Sequence, residues 1–468
     1  MKLGEWARRR AQKPEPQSAL ELLLNGHDAT AQGYPQHCVD SVSSFYDYVH
    51  DAATERACTG TACHFARNGP ARGAEVRCLG RCYEAPVTSG TPSAPIPRAS
   101  LVDEPVILRH LIAGRQPEPT AEYRALPDSD TILAAVIASG LRGRGGAAFP
   151  TGAKWQTARA TPAPDRYVVA NGDEGDPGSF VDRLLLEEDP HAVLAGMLAC
   201  ARAIGARRGV VFIRREYARA QLVMREAIEW AAHAGLLGDF EVRVVSGAGS
   251  YVAGEETALL RAISGARAEP SPKPPFPAQR GLDGLPTVVQ NVETLAAVPW
   301  VVERKRRADT KVVCLTGAVM RPGAVEVALG TPLAEVLARA GGGASAGRRW
   351  KMALVGGPMG RVLPVSAFDT PLSFEALPGM GHAGVHVFGE EVSARDLARH
   401  LFEFAAAESC GSCAPCRIGT SQLASRQDAA SLGRLLETLE LGSLCGFGQG
   451  VPRPIRDLLR HFGEELFT

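Results

Sequence analysis

The segment RYVVANGDEGDPGSF, residues 166–180, decides the fold of this chain, because an apolar strand runs directly into a loop of glycines and carboxylates. An Ala-rich helix is predicted over PHAVLAGMLACARAIGA (190–206), and GVVFIR (209–214) predicts a second strand. FEVRVVSGAGSYVAGEET (240–257) predicts a third strand that enters another glycine-rich loop. Strands alternating with helices predict a parallel sheet with covering helices, and such sheets bind ligands at the C-terminal ends of their strands.

The sequence on either side of this region predicts further units. VTSGTPSAPIPRAS (87–100) is rich in Pro and Ser and predicts a linker. Short strands around one helix between 311 and 388 predict a β-grasp-like module. Beyond it, Ser393 and Asp396 have the spacing of a capping box, and the pattern becomes helical. We therefore predict an α/β multi-domain chain divided at 1–95, 96–106 (a linker), 107–304, 305–390 and 391–468.

Composition excludes several classes of function. The 468 residues carry 51 Lys and Arg against 51 Asp and Glu, and this zero net charge argues against a nucleic-acid-binding protein. No run of about 18 apolar residues predicts a membrane span. The basic N-terminal segment has no apolar core of the kind that secretory signals contain. We expect a cytoplasmic protein without a direct membrane span.

Eight of the eleven cysteines form two groups of four. One group joins the run CGSCAPC to a later cysteine, and comprises Cys410, Cys413, Cys416 and Cys445. Three close thiolates and a remote fourth favour a [4Fe-4S] cluster; structural zinc, which prefers two separate C-x2-C knuckles, and a metal-free site are the alternatives.

The other group comprises Cys58, Cys63, Cys78 and Cys82. Its spacing favours a [2Fe-2S] cluster, with zinc or a vestigial site as alternatives. We predict that the three remaining cysteines are small core residues: Cys38, Cys200 and Cys314.

Three loops combine glycines with charged or polar side chains. The first, GLRGRGGAAFPTGAKW (140–155), predicts a phosphate or nucleotide loop or, alternatively, an ordinary turn. The second follows the strand of the opening segment, where carboxylates can accept bonds from ribose hydroxyls or a flavin N–H; a solvated acidic turn or a calcium-like loop is the alternative. The third contains Tyr251, Gly254, Glu255 and Glu256, and we expect the three loops to meet at one edge of the sheet.

These motifs, together with KPPFP, NVETLA and LCGFG, resemble from about residue 105 to 465 the NADH-binding flavoprotein subunit of respiratory complex I. Relatives of that subunit serve soluble NAD-linked formate dehydrogenases and NAD-reducing hydrogenases. Residues 42–86 resemble the small [2Fe-2S] thioredoxin-like subunit of the same assemblies, fused here in a truncated form. The resemblance implies a Rossmann-like FMN domain, a ubiquitin-like (SLBB) module and a C-terminal helical bundle with the [4Fe-4S] cluster.

The resemblance also implies roles for individual residues. FMN would be held by Gly143, Gly145, Gly146, Lys154, Asn171, Asp173, Gly254, Glu255, Asn291 and Thr294. The dinucleotide site would be lined by Phe149, Glu174, Asp176, Glu256, Lys273 and Phe276, with Tyr251 in the same cofactor-binding set. Three positions depart from the family pattern: Thr157 replaces a stacking phenylalanine, Asp176 a glutamate and Gln290 an asparagine. The negative charge of Asp176 implies a preference for NAD over NADP.

The implied function is hydride exchange between NAD(H) and FMN, with stepwise electron transfer through the clusters to or from a partner subunit. The fused N-terminal unit and Gly172 favour a soluble NAD-dependent formate dehydrogenase, whose partner would be a catalytic iron–sulfur or molybdopterin-type subunit. The alternatives are the diaphorase subunit of an NAD-reducing hydrogenase and the complex I subunit. More distant alternatives are a zinc-stabilised scaffold and a ligand-binding SLBB module without flavin.

Overall fold

The computed structural model of the protein describes residues 18–50, 55–67, 69–71, 73–112, 120–425 and 429–467. Over these residues the chain forms sheets of two, six and four strands, with helices packed around them. The predicted α/β multi-domain fold is confirmed. No helix in the described ranges is both long enough and apolar enough to span a bilayer.

The N-terminal unit places three short helices before a small parallel sheet. In chain order its elements are the helices Ala19–Leu24, Gln36–Ser43 and Asp47–His50, strand β1 (Arg56–Cys58), the helix Thr61–Ala66, strand β2 (Ala74–Val76) and the 3-10 helix Cys82–Glu84. Strands β1 and β2 are parallel, which requires a crossover, and the helix Thr61–Ala66 supplies it. The interval from Cys63 to Cys78 thus holds the end of that helix, a loop and β2.

The stretch predicted to be a linker is built into the fold instead. Strand β3 (Arg98–Ser100) pairs in parallel with residues 324–326 at the edge of the six-stranded sheet. The buried carboxylate of Glu326 then accepts the backbone N–H groups of Val106, Ile107 and Leu108 over 2.8–3.1 Å. Buried backbone donors need partners, and one carboxylate satisfies three of them here. A Pro- and Ser-rich composition did not reveal this anchoring.

The central unit is a four-stranded, fully parallel sheet. Its strands are β4 (Tyr167–Gly172), β5 (Arg208–Ile213), β6 (Glu241–Ser246) and β7 (Thr287–Asn291), in the order β6-β5-β4-β7. The surrounding helices are Arg109–Ile112, Thr120–Arg124, Ser129–Ala138, Thr151–Ala160, Val181–Glu188, Pro190–Ile204, Ala218–His233, Glu256–Ile263 and Val292–Arg304. The two predicted helices and three predicted strands of this unit are confirmed.

Small residues let the helices on one face of this sheet approach each other closely. The helix Pro190–Ile204 is almost completely buried against the helix Val292–Arg304. A Cβ atom added to Gly196 would lie 2.0 Å from the carbonyl oxygen of Leu295. Any side chain at Gly196 would therefore separate the two helices that support strands β4 and β7.

The SLBB-like module is a mixed sheet around one helix, as predicted. Its strands are β8 (Thr310–Gly317), β9 (Gly323–Ala328), β10 (Trp350–Val355), β11 (Arg361–Pro364) and β12 (Gly384–Gly389), and its helix is Leu333–Arg339. The sheet has the order β11-β10-β12-β8-β9-β3, and the central pair β12 and β8 is parallel. Apolar residues of β8, β9, β12 and the helix form a separate small core.

The C-terminal unit is helical, as predicted. Its helices are Ala394–Glu408, Ala414–Ser425, Ala429–Gly442, Gly446–Gly450 and Pro452–Phe467. The Ser393 hydroxyl accepts the backbone N–H of Asp396 over 3.0 Å and caps the first helix. Leu397, Leu401 and Phe404 of that helix are buried in a cluster that also contains residues of β4, β5 and β7. This shared core fixes the C-terminal unit against the central sheet.

Candidate functional site

The C-terminal edge of the parallel sheet brings two of the polar loops together. Strand β4 ends at Gly172 and strand β6 at Ser246, so the segments after them leave the same edge. The side-chain N–H of Asn171 donates to the carbonyl oxygen of Gly254 over 2.9 Å. The Asn171 side-chain oxygen also accepts the backbone N–H of Asp173 over 3.1 Å. One side chain thus ties the two loops together at the edge where we expected them to meet.

The first glycine loop folds over the end of β7. It is closed by a hydrogen bond of 2.9 Å from the Gly143 N–H to the Phe149 carbonyl oxygen, and the Arg144 N–H donates to the Thr294 hydroxyl over 2.9 Å. A Cβ atom on Gly145 would lie 3.0 Å from Cβ of Asn291. Gly146 has a φ of 115°, which glycine adopts without strain. The loop therefore presents bare backbone beside Asn291, as a phosphate or flavin site requires.

Unpartnered acceptors at this edge fit a ligand that donates hydrogen bonds. The Asp173 carboxyl is buried, and its Oδ2 atom has no hydrogen-bond partner among the described residues. Burial raises the pKa of Asp173 to about 8. At the end of the neighbouring strand, Oε1 of Gln290 is also buried and unpartnered in the described part of the chain, whereas its side-chain N–H donates to Thr151 over 3.0 Å. A flavin, which offers both an N–H group and hydroxyls, fits these acceptors.

Four charged side chains of the site, Lys154, Glu255, Glu256 and Lys273, form a chain of ion pairs. Lys154 Nζ lies 3.1 Å from a carboxylate oxygen of Glu256, and Lys273 Nζ lies 3.0 Å from the other. Lys273 Nζ also lies 2.7 Å from Glu255. Burial acts to raise the pKa of Glu256, but the two lysines outweigh it and lower the pKa overall. Glu256 is thus an anion held between two cations that are themselves only partly buried.

Two phenylalanines of the predicted dinucleotide site have exposed rings. Phe149 is 52% exposed and Phe276 is 51% exposed, which is unusual for large apolar side chains. Phe149 belongs to the glycine loop, and Phe276 follows Lys273 by three residues. Exposed aromatic faces fit a nucleobase ligand, which stacks on such rings. Thr157, at the position of the missing second aromatic, is exposed on the helix Thr151–Ala160.

Two residues predicted to line the dinucleotide site, Glu174 and Asp176, make their hydrogen bonds within the protein. Glu174 is fully buried and accepts bonds from the Ser179 hydroxyl, the Tyr217 hydroxyl and two backbone N–H groups of the helix Val181–Glu188. Asp176 accepts the Tyr251 hydroxyl over 2.5 Å and packs against Gly357 of the SLBB module. Burial raises the pKa of Asp176. The structure therefore places Glu174 among internal hydrogen-bond donors, and its role at the dinucleotide stays a prediction.

The C-terminal cysteines come together from two separate segments. Cys410 and Cys413 lie in the loop before the helix Ala414–Ser425, and Cys445 is the N-cap residue of the helix Gly446–Gly450. Cys416 lies in the first turn of that helix. Burial raises the pKa of Cys416 to about 12, and the thiols of Cys413, Cys445 and Cys410 act in the same direction. Three ligands from one segment and a fourth from another fit a cubane cluster.

The N-terminal cysteines also converge, and all four are buried. The Sγ atoms of Cys78 and Cys82 are 3.5 Å apart, and the thiol of Cys58 is in hydrogen-bonding contact with those of Cys63 and Cys78. Backbone N–H groups point at two of the sulfurs, from Gly80 to Cys78 over 3.3 Å and from Gly178 to Cys82 over 3.2 Å. Hydrogen bonds to sulfur are characteristic of thiolate ligands in iron–sulfur sites.

The remaining cysteines do not join either group. Cys200 and Cys314 are completely buried, as expected for small core residues. Cys38 is only half-buried on the helix Gln36–Ser43, where its sulfur lies 3.4 Å from a ring nitrogen of His37, so the prediction for this residue is wrong.

Comparison with known proteins assigns this arrangement to a family. Residues 136–300 match the Nuo51 FMN-binding domain, residues 312–363 the SLBB domain and residues 396–467 the NADH-ubiquinone oxidoreductase-F iron–sulfur binding region. The F 2 polypeptide of the NADH-quinone oxidoreductase of Rhizobium meliloti is 38% identical over 409 residues, which cover 78% of this chain and 97% of that protein. The chain belongs to the complex I flavoprotein family.

Other members of the complex I flavoprotein family come from hydrogenases. The NADP-reducing hydrogenase subunit HndC of Solidesulfovibrio fructosivorans is 38% identical over 395 residues, which cover 77% of this chain and 80% of that protein. The crystal structure of an NAD+-reducing [NiFe]-hydrogenase in the H2-reduced state matches with a TM-score of 0.84 and 30% identity. That match covers 98% of this chain and 91% of the hydrogenase chain.

Membership of the complex I flavoprotein family confirms the main cofactor predictions. The chain is an NADH dehydrogenase-type electron-transfer subunit with an FMN-binding domain and a [4Fe-4S] region. The unpartnered acceptor of Asp173, the bare glycine loop and the four converging thiols fit these two groups. A [2Fe-2S] cluster in the N-terminal unit and a formate dehydrogenase assembly remain predictions.

Sequence reasoning missed two buried basic residues beside the flavin loops of this complex I flavoprotein. Arg144 reaches back from the glycine loop to the carbonyl oxygens of Ala308, over 2.8 Å, and Thr310. A charged residue between two glycines was the available signal for it. His382 of the SLBB module lies within 4.8 Å, measured between potential ligand atoms, of Glu174 and Asp182. No local pattern revealed His382, because it is more than 200 residues from the loops that it contacts.

Proposed function

We propose that this chain is a diaphorase-type subunit that exchanges electrons between NAD(H) and a partner subunit through FMN and two iron–sulfur centres. The observation that most strongly supports this proposal is the position of the loop after β4. Its start, at Asp173, lies at the flavin edge of the sheet, and further along it the Gly178 N–H contacts the Cys82 sulfur over 3.2 Å. One short loop thus connects the proposed flavin site to the N-terminal thiol site.

The C-terminal cysteine site borders the same region from the other side. The Tyr251 ring packs against Phe404 and Phe447, with ring centroids 5.4 Å away in each case. The Tyr251 N–H donates to the Glu408 carboxylate over 2.9 Å, two residues before Cys410. Because Tyr251 also bonds Asp176, it joins the flavin loops to the helices that carry the C-terminal cysteines. Both thiol sites are therefore in contact with the flavin loops.

The proposed roles of the site residues follow from their contacts. FMN, when bound, accepts hydride and releases single electrons, which is the chemistry that links a nicotinamide to iron–sulfur centres. Two groups of residues would hold and orient FMN. One is the glycine loop together with Asn291 and Thr294, and the other, at the C-terminal edge of the sheet, comprises Asn171, Asp173 and Gly254. Lys154 and Glu255 belong to the ion-pair chain that also contains Glu256 and Lys273.

The dinucleotide would enter on the exposed side of the site. Phe149 and Phe276 offer aromatic faces for the adenine, and this stacking would exclude water from the bases. Glu256 accepts hydrogen bonds from ribose hydroxyls when they replace one of its two lysine contacts. The negative charge of Asp176 implied a preference for NAD over NADP, but this side chain bonds to Tyr251 and packs against Gly357, so that preference stays a prediction.

The proposal also concerns which enzyme assembly contains this subunit. The full-length match supports a hydrogenase-type partner, because it includes the N-terminal unit. The prediction of a formate dehydrogenase partner depends on the fused N-terminal unit and on Gly172. At that glycine, an added Cβ would lie 2.9 Å from the Phe212 carbonyl oxygen and 3.0 Å from Leu186, so tight packing already accounts for glycine there. We therefore favour the hydrogenase-type assembly over the formate dehydrogenase type.

Anaerobic titration tests the diaphorase role. NADH added to the full chain is expected to bleach flavin absorbance stoichiometrically, with NADPH as the matched control at the same concentration. Unchanged flavin absorbance at saturating NADH would reject that role. For the assembly, the tagged chain is purified anaerobically with its partners and supplied with NAD+ and either hydrogen or formate. NADH formation with hydrogen alone supports the hydrogenase type, and formation with formate alone contradicts it.

A further inference from the structure

A tight turn of the SLBB module directs one histidine into the interface with the central unit. The turn is closed by a hydrogen bond of 2.8 Å from the Ala383 N–H to the Met380 carbonyl oxygen, immediately before β12. The His382 carbonyl oxygen accepts a bond of 3.1 Å from Lys311 Nζ, which fixes the backbone. The His382 side chain is 9% exposed, and its Nδ1 atom has no partner among the described residues.

The other ring nitrogen of His382 faces the glycine loop. Its Nε2 atom would lie 3.4 Å from a Cβ atom placed on Gly145, the residue that also packs against Asn291. The preceding Gly381 lies against Gly146 in the same way, 3.8 Å from the position of its absent Cβ. The SLBB turn therefore meets the bare backbone of the proposed FMN loop, and the ring stands beside that loop.

The charges around His382 favour its cationic form. Three buried carboxylates surround it, those of Asp182, Asp176 and Glu174, and they raise the pKa of His382 although burial acts to lower it. Lys311 is the opposing cation, but its ammonium group is paired with Glu293. An imidazolium ion at this position offsets part of the negative charge buried beneath the flavin loops.

The same cluster does not have the free ligands of a metal site. The Glu174 oxygens already accept bonds from Ser179 and Tyr217 and from the backbone. The Asp182 carboxylate accepts the Asn291 side-chain N–H over 2.7 Å and the Glu293 N–H over 3.3 Å. A cation would have to break several of these bonds, whereas Nε2 of His382 lies beside the glycine loop, 3.4 Å from the position of the absent Cβ of Gly145.

We propose that His382 is a further FMN-contacting residue, supplied by the SLBB module, whose Nε2–H faces an anionic part of the bound cofactor. The inference rests on the proposed position of FMN at the glycine loop. The FMN phosphate and the fully reduced flavin ring both carry negative charge, and a buried imidazolium ion stabilises either one. His382 thereby makes flavin affinity or flavin potential depend on the docking of the SLBB module.

The test compares H382Q with the control H386Q in the flavin-depleted full chain. His386 is a matched control because it is buried on β12 of the same module and bonds to Thr316 over 2.9 Å. Dissociation constants for FMN and riboflavin are measured by fluorescence quenching, and the flavin midpoint potential by anaerobic titration. We expect H382Q to weaken FMN binding about tenfold or to lower the flavin potential, while H386Q matches the wild type.

The binding and potential measurements show whether His382 contacts the FMN phosphate or the reduced flavin ring. Weaker binding of FMN with unchanged binding of riboflavin assigns the contact to the phosphate, whereas a lower potential with unchanged FMN binding assigns it to the reduced ring. Wild-type values for affinity and potential in H382Q would overturn the proposal while leaving the proposed function intact. Failure of the wild-type chain to bind FMN would overturn both.

A second variant and a direct measurement cover the case in which H382Q does not fold. H382N is assayed in the same way, with circular dichroism of the flavin-depleted chain as the folding control. If neither variant folds, the ring 15N resonances of selectively labelled wild-type protein are followed during an FMN titration. A shift of the His382 resonance on FMN addition supports the contact, and an unchanged resonance overturns it.

Discussion

The backbone N–H of Gly178 lies 3.2 Å from the sulfur of Cys82, and this hydrogen bond joins the loop of the proposed flavin site to the N-terminal thiol site. A second contact secures the same junction, because the buried guanidinium of Arg214 donates to the carbonyl oxygen of Cys78 over 2.8 Å and also to that of Glu174. The N-terminal unit is therefore anchored on the loop of the proposed flavin site, where a cluster held by its cysteines would accept electrons from the flavin.

Replacing Glu256 by Gln should weaken NADH binding and leave FMN in place. The carboxylate pairs with Lys154 and Lys273, both partly exposed, and the neutral amide loses these pairs and the acceptor for ribose hydroxyls. We expect the dissociation constant for NADH to rise about tenfold, which corresponds to about 1.4 kcal/mol. NADH titration of flavin absorbance measures this, and E226Q on an exposed helix position is the control. Loss of FMN together with NADH would refute the role.

Replacing Glu174 by Gln should destabilise the protein rather than change nucleotide affinity. The carboxylate is fully buried, and two backbone N–H groups and two hydroxyls donate to it. An amide cannot accept all of these bonds, so we expect a loss of about 2–3 kcal/mol in unfolding free energy. Chemical denaturation of E174Q measures the loss. Normal stability with weaker NADH binding would restore Glu174 to the dinucleotide site.

The carboxyl of Asp173 should make the flavin-depleted protein less stable as pH rises. Its pKa is about 8 in the folded protein because it is buried, against an unfolded value near 3.8, so the folded state holds the proton over a wider range. Its contribution is complete below pH 4 and is lost as pH rises towards 8, with a slope of at most about 1.4 kcal/mol per pH unit. Denaturation curves between pH 5 and 8 should show this slope, and D173N should flatten it. An equal slope in D173N would contradict the assignment.

Replacing Cys445 by Ser should remove the C-terminal cluster and leave FMN binding intact. Cys445 reaches the site from a separate helix N-terminus, and the other three ligands come from one segment. We expect the iron content to fall by the share of one [4Fe-4S] cluster, with flavin content unchanged. Iron and acid-labile sulfide assays measure this, and C38S, at the half-buried cysteine outside both groups, is the control. Equal iron loss in C38S would show a non-specific effect.

Local sequence patterns predicted the strands and loops whose formation depends on residues close together in the chain. The run from Tyr167 to Gly172 is apolar and continuous, so it predicted a buried parallel strand. The alternation of strands and helices then predicted which strand ends carry the loops, and the structure brings Asn171 and Gly254 together there. The spacing of the cysteines predicted two sets of four thiols, and both sets converge.

Long-range contacts explain what the sequence did not reveal. Glu174 has the same acidic character as its neighbours, and only the tertiary structure shows that Tyr217 and a helix N-terminus bury it. The strand at Arg98 forms because the edge of another sheet, more than 200 residues later, offers it backbone partners. His382 meets the glycine loop through domain packing, for which a single sequence contains no periodic signal.

Electron transfer from NADH to both thiol sites is tested most directly by low-temperature EPR of the anaerobically purified protein before and after addition of NADH. NADH is expected to produce two reduced signals, one from a [4Fe-4S] centre and one from a [2Fe-2S] centre, and C82S is expected to lose only the second. A wild-type protein in which neither NADH nor dithionite produces the [2Fe-2S] signal would contradict the proposed route from the flavin loop to Cys82.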